Sequence, residues 1–225
     1  ILSEDRISGS NFPLISRLAF ERMFPFGDPP DYAPPASASI AAMAAREGRR
    51  AEEVAYDLLI ADEGRGFIFA PLTNFADYTL SASAECLRHP NAIAGLSDGG
   101  AHVGFISDGS FPTFLLSYWA RDAKEAVFPV QDMIRRLTSD TARAAGLHDR
   151  GILRAGMKAD VNVIDFAALK LQAPRMVRDL PAGGRRLLQK ADGYVATIVN
   201  GEVTYRDGAA TGALPGRLLR GRQYA

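Results

Sequence analysis

The sequence predicts an α/β chain in two stretches, and three observations predict it. Over residues 1–147, segments with helical apolar spacing alternate with two compact apolar runs. Over 148–225 the pattern changes to short strands separated by Gly-containing turns. Within that second stretch, Asn200-Gly201 stands between two strand-like runs, the pairing that favours a two-residue hairpin turn.

The elements follow in order. Arg17 to Met23 has helical character and leads into Pro25-Phe26-Gly27-Asp28-Pro29-Pro30-Asp31-Tyr32-Ala33-Pro34-Pro35, whose prolines forbid regular structure. Ser37 or Ser39 is placed to cap a helix running through Ala45. Glu52 to Asp62 carries Val54, Ala55, Leu58 and Leu59 at helical spacing, with Gly64 as terminator. Gly66 to Pro71 is an apolar run of the kind buried on both faces of a parallel sheet, and Tyr78 to Leu87 reads as the helix after it. Asn91 to Ser97 reads as a second such strand, ending at Asp98-Gly99-Gly100. Ser110 and Pro112 open a helix with Phe114, Leu115, Tyr118 and Trp119 on its apolar face. Val130 to Leu137 forms another helix behind Pro129, and Ser139 or Asp140 caps one more that Gly146 closes. Gly151 to Leu153 and Asp160 to Asp165 read as strands, the latter alternating as a half-exposed sheet requires. Tyr194 to Val199 and Glu202 to Tyr205 form the hairpin, and a basic tail from Pro215 to Ala225 lies over the surface.

Composition narrows the classes of function. Hydrophobic residues make up 47% of the 225 residues, enough to build a core, and 26 basic residues balance 26 acidic ones. With no net field, neither nucleic acid nor an anionic membrane is the expected partner, which leaves a small molecule or another protein surface. No apolar run approaches the roughly 20 residues that span a bilayer, and Ile1 to Ile7 has no basic-then-apolar leader pattern. The single cysteine, Cys86, forms no internal disulfide, as suits a reducing, cytoplasmic setting, and reads as a small buried hydrophobe on a helix face. The chain opens on Ile1 rather than methionine, as a processed or truncated chain would. Two parallel strand–helix units cannot close a barrel and would leave unpaired edges, so further strands are expected from a preceding segment or a complementary chain.

The residues also carry a resemblance. Gly95-Leu96-Ser97-Asp98-Gly99-Gly100-Ala101-His102-Val103-Gly104 resembles the end of the eighth barrel strand of metal-dependent amidohydrolases, where an aspartate stands at the metal centre. Gly146 to Leu153 and then Gly156 to Asp165 look like the passage from barrel to small β-sandwich, and Asn200 to Val203 like the closing sandwich hairpin. With Ser110-Phe111-Pro112-Thr113 and Thr138-Ser139, the order is similar to the N-acyl-D-amino-acid deacylase branch. The resemblance implies the C-terminal part of a (β/α)8 TIM-type barrel over 1–147, followed by sandwich strands and tail over 148–225.

It also implies a chemistry. Amide hydrolysis at neutral pH needs an activated water, which a bound divalent ion such as zinc supplies. It also needs a carboxylate to take the water's proton and return it to the departing amine. Asp98, at a strand's C-terminal end and followed by two glycines, suits both the proton-transfer role and that of a metal ligand. Taken alone, Asp98-Gly99 is also an ordinary turn pair, and the matching exit segment downstream tips the reading toward catalysis. His102 and Asn74 lie on the same implied face as candidate substrate-binding groups, though loop histidines and asparagines are commonly structural. His89 and His148 read as structural, and the aromatic face around Trp119 as core.

Catalytic zinc takes three protein ligands, mostly histidine. The chain has 3 scattered histidines and no His-x-His, which in the family belongs to the first barrel strand. The expectation is a chain that is inactive alone, requires the N-terminal remainder of the protein or a complementary chain, and acts with it on an N-acyl-D-amino acid. Oligomerisation is left open. A cyclic amidase of the hydantoinase type and a non-catalytic structural subunit are the alternative readings.

Overall fold

The computed structural model describes residues 19–95, 104, 108–124 and 127–220. Their contacts divide the chain into two units, one comprising the residues up to Pro90 with Ala173–Leu188, the other Asn91–Gln172 with the residues from Gln189 onward.

In the first unit, Ser39 accepts a hydrogen bond from the Ala42 N–H at 3.2 Å and so caps helix α1, Ile40–Glu47, which ends on the left-handed Gly48. Helix α2, Ala51–Gly64, follows directly, regular to Ile60 and then turning through the left-handed Asp62 and Glu63. Their facing residues Ile40, Ala44, Val54 and Ala55 form the core, with Met23, Leu58 and Ile68 packed against it. Strand β1, Phe24–Pro25, pairs antiparallel with β2, Ile68–Phe69. Phe24 is fully buried, with Phe75 and Tyr78 edge-on at 6.1 and 6.3 Å. Helix α3, Ser81–Arg88, buries Ala84.

This unit also contains a hairpin of β5, Arg175–Leu180, and β6, Gly184–Leu188. Across it Arg186 donates two hydrogen bonds of 2.7 Å to the Asp179 carboxylate, which holds that carboxyl below its usual range. A lowered folded-state pKa means that the pair contributes fully above about pH 4 and that the contribution disappears as pH falls through the folded value. Arg186→Gln is expected to return the Asp179 titration, followed by its carboxyl carbon shift, to the ordinary aspartate value. An unchanged titration would show that the pairing is not the cause.

In the second unit, helix α4, Phe111–Phe114, continues through a π-helical segment, Leu115–Asp122, which the Ala123 N–H closes on the Tyr118 carbonyl at 2.8 Å. Helix α5, Val130–Arg135, passes through a second π-helical segment, Arg136–Asp140, into α6, Thr141–Ala144. Leu115, Leu116, Trp119, Phe128 and Met133 are buried here, with Trp119 edge-on to Phe128 at 5.8 Å. Strands β8, Tyr194–Val199, and β9, Glu202–Arg206, form the hairpin read from the sequence, with Asn200 and Gly201 both at positive φ as its turn requires. Strands β3, Val161–Ile164, and β10, Ala209–Ala210, complete an antiparallel sheet of order β10-β9-β8-β3. Strand β4, Lys170–Leu171, pairs with β7, Ala191–Asp192.

Four sequence expectations are corrected. Every ladder among the described residues is antiparallel, including that of Ile68–Phe69. Its partner is the Phe24–Pro25 pair, its residues are only partly buried, and Pro25 and Pro71 limit the ladder by lacking N–H donors. The described part of the second apolar run, residues 91–95, joins no ladder, and Ile93 points outward while Ala94 is buried. Gly151 to Leu153 is not a strand: Gly151 has φ of +90° and Leu153 is exposed. Cys86 is exposed rather than buried, because Ala84, two residues earlier and on a different face, is the residue that α3 turns inward.

Candidate active site

Of the three candidate site residues, Asp98 and His102 lie outside the described residues. Asn74 is described. It stands exposed in the loop after β2 with φ of +60°, a left-handed conformation that asparagine tolerates. The loop is held by its neighbours: Arg22 donates to the Phe75 carbonyl at 2.8 Å and lies 4.2 Å over the Tyr78 ring, and the Tyr78 hydroxyl reaches the Glu21 carbonyl at 3.2 Å. Tyr78 also has positive φ, uncommon for a bulky side chain, and this clamp is what maintains it. The Asn74 amide is therefore presented from a fixed backbone.

One side-chain contact reaches the described residues that precede Asp98 in sequence. Arg136, on the helical run that begins at Val130, donates from Nη1 to the Ala92 carbonyl at 3.0 Å. Downstream, Ser110 donates to Gln189 Oε1 at 2.6 Å and the Thr113 hydroxyl shares a 2.8 Å hydrogen bond with the Tyr194 hydroxyl. The start of the helix after the Asp98 segment is thus joined by one side-chain contact to Gln189, between β6 and β7, and by another to Tyr194, the first residue of β8. Arg121 fixes the other end of the same helix by donating to the Phe166 and Leu169 carbonyls at 2.6 and 2.8 Å. Sequence reasoning missed both arginines, because in a helix they read as solvated charges.

Among the described residues, no three His, Cys, Asp or Glu side chains gather closely enough to hold a metal ion. His148 is exposed, and Cys86 has no such neighbours. The described donors therefore do not make a catalytic metal centre. Nor is any helix among them long and apolar enough to cross a membrane.

The amidohydrolase family profile matches residues 30–205. The chain belongs to the amidohydrolase family. Within that family it is similar to a D-aminoacylase of Alcaligenes xylosoxydans xylosoxydans, with 34% identity over 111 residues, a stretch that covers 49% of this chain and 20% of that protein. Two solved structures are also similar. A D-aminoacylase crystal structure shares 22% identity with a TM-score of 0.45, covering 85% of this chain and 36% of the other. A D-aminoacylase mutant in complex with copper chloride shares 22% identity with a TM-score of 0.47, covering 88% and 37%. This amidohydrolase chain thus spans a fifth of the curated relative it matches and little more than a third of the solved ones. The matched region includes Asn74, Asp98 and His102.

Proposed function

We propose that this chain is the C-terminal part of a hydrolase that cleaves the acyl carbon–nitrogen bond of an N-acyl-D-amino acid, with Asp98 as the proton-transfer group. The observation that carries the reading is the family match across residues 30–205, which includes the Gly95 to Gly104 run with its aspartate. The 34% identity to a D-aminoacylase supports the choice of branch. In the reaction, water adds through its oxygen to the acyl carbon while the Asp98 carboxylate accepts its proton. The same carboxyl then protonates the amide nitrogen, the carbon–nitrogen bond breaks, and a carboxylate and a free D-amino acid leave. Without that proton the amine is a poor leaving group and the tetrahedral intermediate returns to substrate. Asn74 and His102 are assigned to substrate binding, with the fixed backbone of Asn74 as the supporting observation for the former.

A divalent ion such as zinc belongs to this proposal with Asp98 as one ligand only if the remaining ligands come from other polypeptide, since the described residues supply no set of three. The partner is accordingly the N-terminal remainder of the protein or a complementary chain. The same reading assigns 1–147 to the closing part of a TIM-type barrel and 148–225 to a small β-sandwich and tail, in the cytoplasm. The antiparallel β10-β9-β8-β3 sheet lies within that second stretch and supports its assignment.

The test is a substrate comparison with the complete protein. Release of free D-amino acid from N-acyl-D-amino acids, with no turnover of hydantoins, is the expected result. Turnover of hydantoins alone would replace the deacylase with a cyclic amidase, and no turnover of either would favour a structural subunit.

A further inference from the structure

We propose that Asn200-Gly201 is a latent deamidation site, held closed in the folded chain by its hydrogen bonds to residues 158–160. Asparagine followed by glycine is the pair most prone to this reaction, because glycine has no side chain to hinder its own backbone nitrogen. Asn200 has that neighbour, whereas Asn11, Asn74, Asn91 and Asn162 precede phenylalanine, phenylalanine, alanine and valine. The only reagent is water. The Gly201 nitrogen gives up its proton and bonds to Cγ of Asn200, the Cγ–Nδ2 bond breaks, and the amide nitrogen leaves with that proton as ammonia. Water then opens the cyclic imide. Attack at the side-chain carbonyl leaves aspartate, and attack at the backbone carbonyl leaves isoaspartate, whose main chain runs through the former side chain.

Asn200 and Gly201 are exposed, so water reaches the turn. The fold opposes cyclisation at both reacting groups. The Gly201 N–H donates to the Ala159 carbonyl at 2.9 Å, which commits the nucleophile's proton to an acceptor that cannot remove it. The Asn200 N–H donates to Asp160 Oδ1 at 2.8 Å, and Lys158 Nζ donates to Asn200 Oδ1 at 3.5 Å, restraining the side chain that must swing toward the Gly201 nitrogen. Asp160 is itself anchored by Arg150 at 3.2 Å. The φ values of +51° and +85° at Asn200 and Gly201 belong to the two-residue turn that the Val199–Glu202 pairing closes. Cyclisation therefore requires the turn to part from residues 158–160 first, a local opening of the β8–β9 hairpin. Isoaspartate lengthens the chain between Val199 and Glu202, so the covalent product keeps a record of that opening.

The experiment follows conversion of Asn200 in the complete protein by peptide mass spectrometry, with chromatographic separation of isoaspartate, in buffer and in urea at one pH and temperature. Conversion in the folded protein is expected to be at least roughly tenfold slower than in urea, since the opened form is a minor population. Asp160→Ala removes the acceptor of the Asn200 N–H and is expected to raise the folded-state rate several-fold, the effect of one hydrogen bond. Asp160→Asn, which keeps an acceptor oxygen, is expected to stay near the wild-type rate. In urea all three proteins are expected to convert alike, because Asp160 is 40 residues from Asn200 and acts only through the fold. Equal wild-type rates in buffer and urea, no conversion in urea, or an unchanged folded-state rate in Asp160→Ala each overturns the proposal. If Asp160→Ala does not fold, hydrogen exchange of the wild-type Gly201 amide decides: protection supports the closed site, and exchange at the unprotected rate overturns it.

Discussion

Asp98→Asn in the complete protein is expected to reduce kcat on an N-acyl-D-amino acid by roughly a thousandfold, within the range that general acid–base groups contribute. Asparagine is close to aspartate in size, so the loss reports the carboxylate's charge and ionisation rather than the space it fills. The amide can neither accept a proton from water nor return one to the amine, and both halves of the reaction lose the same group. KM is expected to change far less, because binding of the intact amide does not use the transferred proton. The pH dependence gives a second reading: the acid limb of the wild-type kcat profile, which reports the carboxylate needed to accept the proton, disappears in the variant. A variant that keeps both its rate and that limb would remove Asp98 from the chemistry.

A large structural effect is expected at Gly193. Its φ of +95° is open to glycine, and a β-carbon added there would lie 2.6 Å from the Leu169 Cα, 2.8 Å from the Leu169 nitrogen and 3.0 Å from the Asp165 carbonyl oxygen. All three are backbone atoms, so no side-chain rotation relieves the clash, and Leu169 is itself fully buried. The Gly193 carbonyl also accepts the Asp165 N–H at 2.8 Å, so the strand cannot move away without breaking that bond. Backbone strain and overpacking together put the cost of Gly193→Ala at about 3 kcal/mol, or a fall in unfolding temperature of roughly 6–12 °C for a chain of this size. Gly208→Ala separates the two causes: Gly208 also has positive φ, at +76°, but nothing lies within 4 Å of its added carbon. Its cost is expected to be the conformational part alone, about 1–2 kcal/mol. Equal losses at the two positions would show that the contact with Leu169 is immaterial.

These two positions differ in how far the sequence reveals them. Asp98 is proposed from the sequence alone, on a carboxylate followed by two glycines with a recognisable exit segment downstream, and it lies outside the described residues. Asn200-Gly201 and the Ser39 cap are legible for a similar reason, since each rests on the conformational preference of one or two adjacent residues. The pairing of Phe24 with Phe69 depends on residues 45 apart, and no local period distinguishes an antiparallel two-residue ladder from the edge of a parallel sheet. The helical run from Val130 to Ala144 misleads in the opposite way. Asp140 reads as a cap, yet it has helical φ and ψ, and its carboxylate is taken up by Arg135 and Arg143. A metal-ligand set could not be read either, because it needs side chains assembled by tertiary packing, and the scattered histidines give no spacing from which to start. Arg136 escaped because Arg135-Arg136 in a helix resembles a solvated pair, and only burial separates the two.

The ladder between β4 and β7 has a consequence for how this polypeptide tolerates change in length. Gln172 donates its N–H to the Lys190 carbonyl at 2.9 Å, and the Gln189 side chain donates to the Gln172 carbonyl at 2.9 Å, so the points where the chain departs toward β5 and returns from β6 are already clasped together. A connection whose two ends are fastened to each other carries an entropic penalty that grows only logarithmically, at about 0.6 kcal/mol for each doubling. The β5–β6 excursion is therefore a natural locus for insertion, deletion or the grafting of a foreign module.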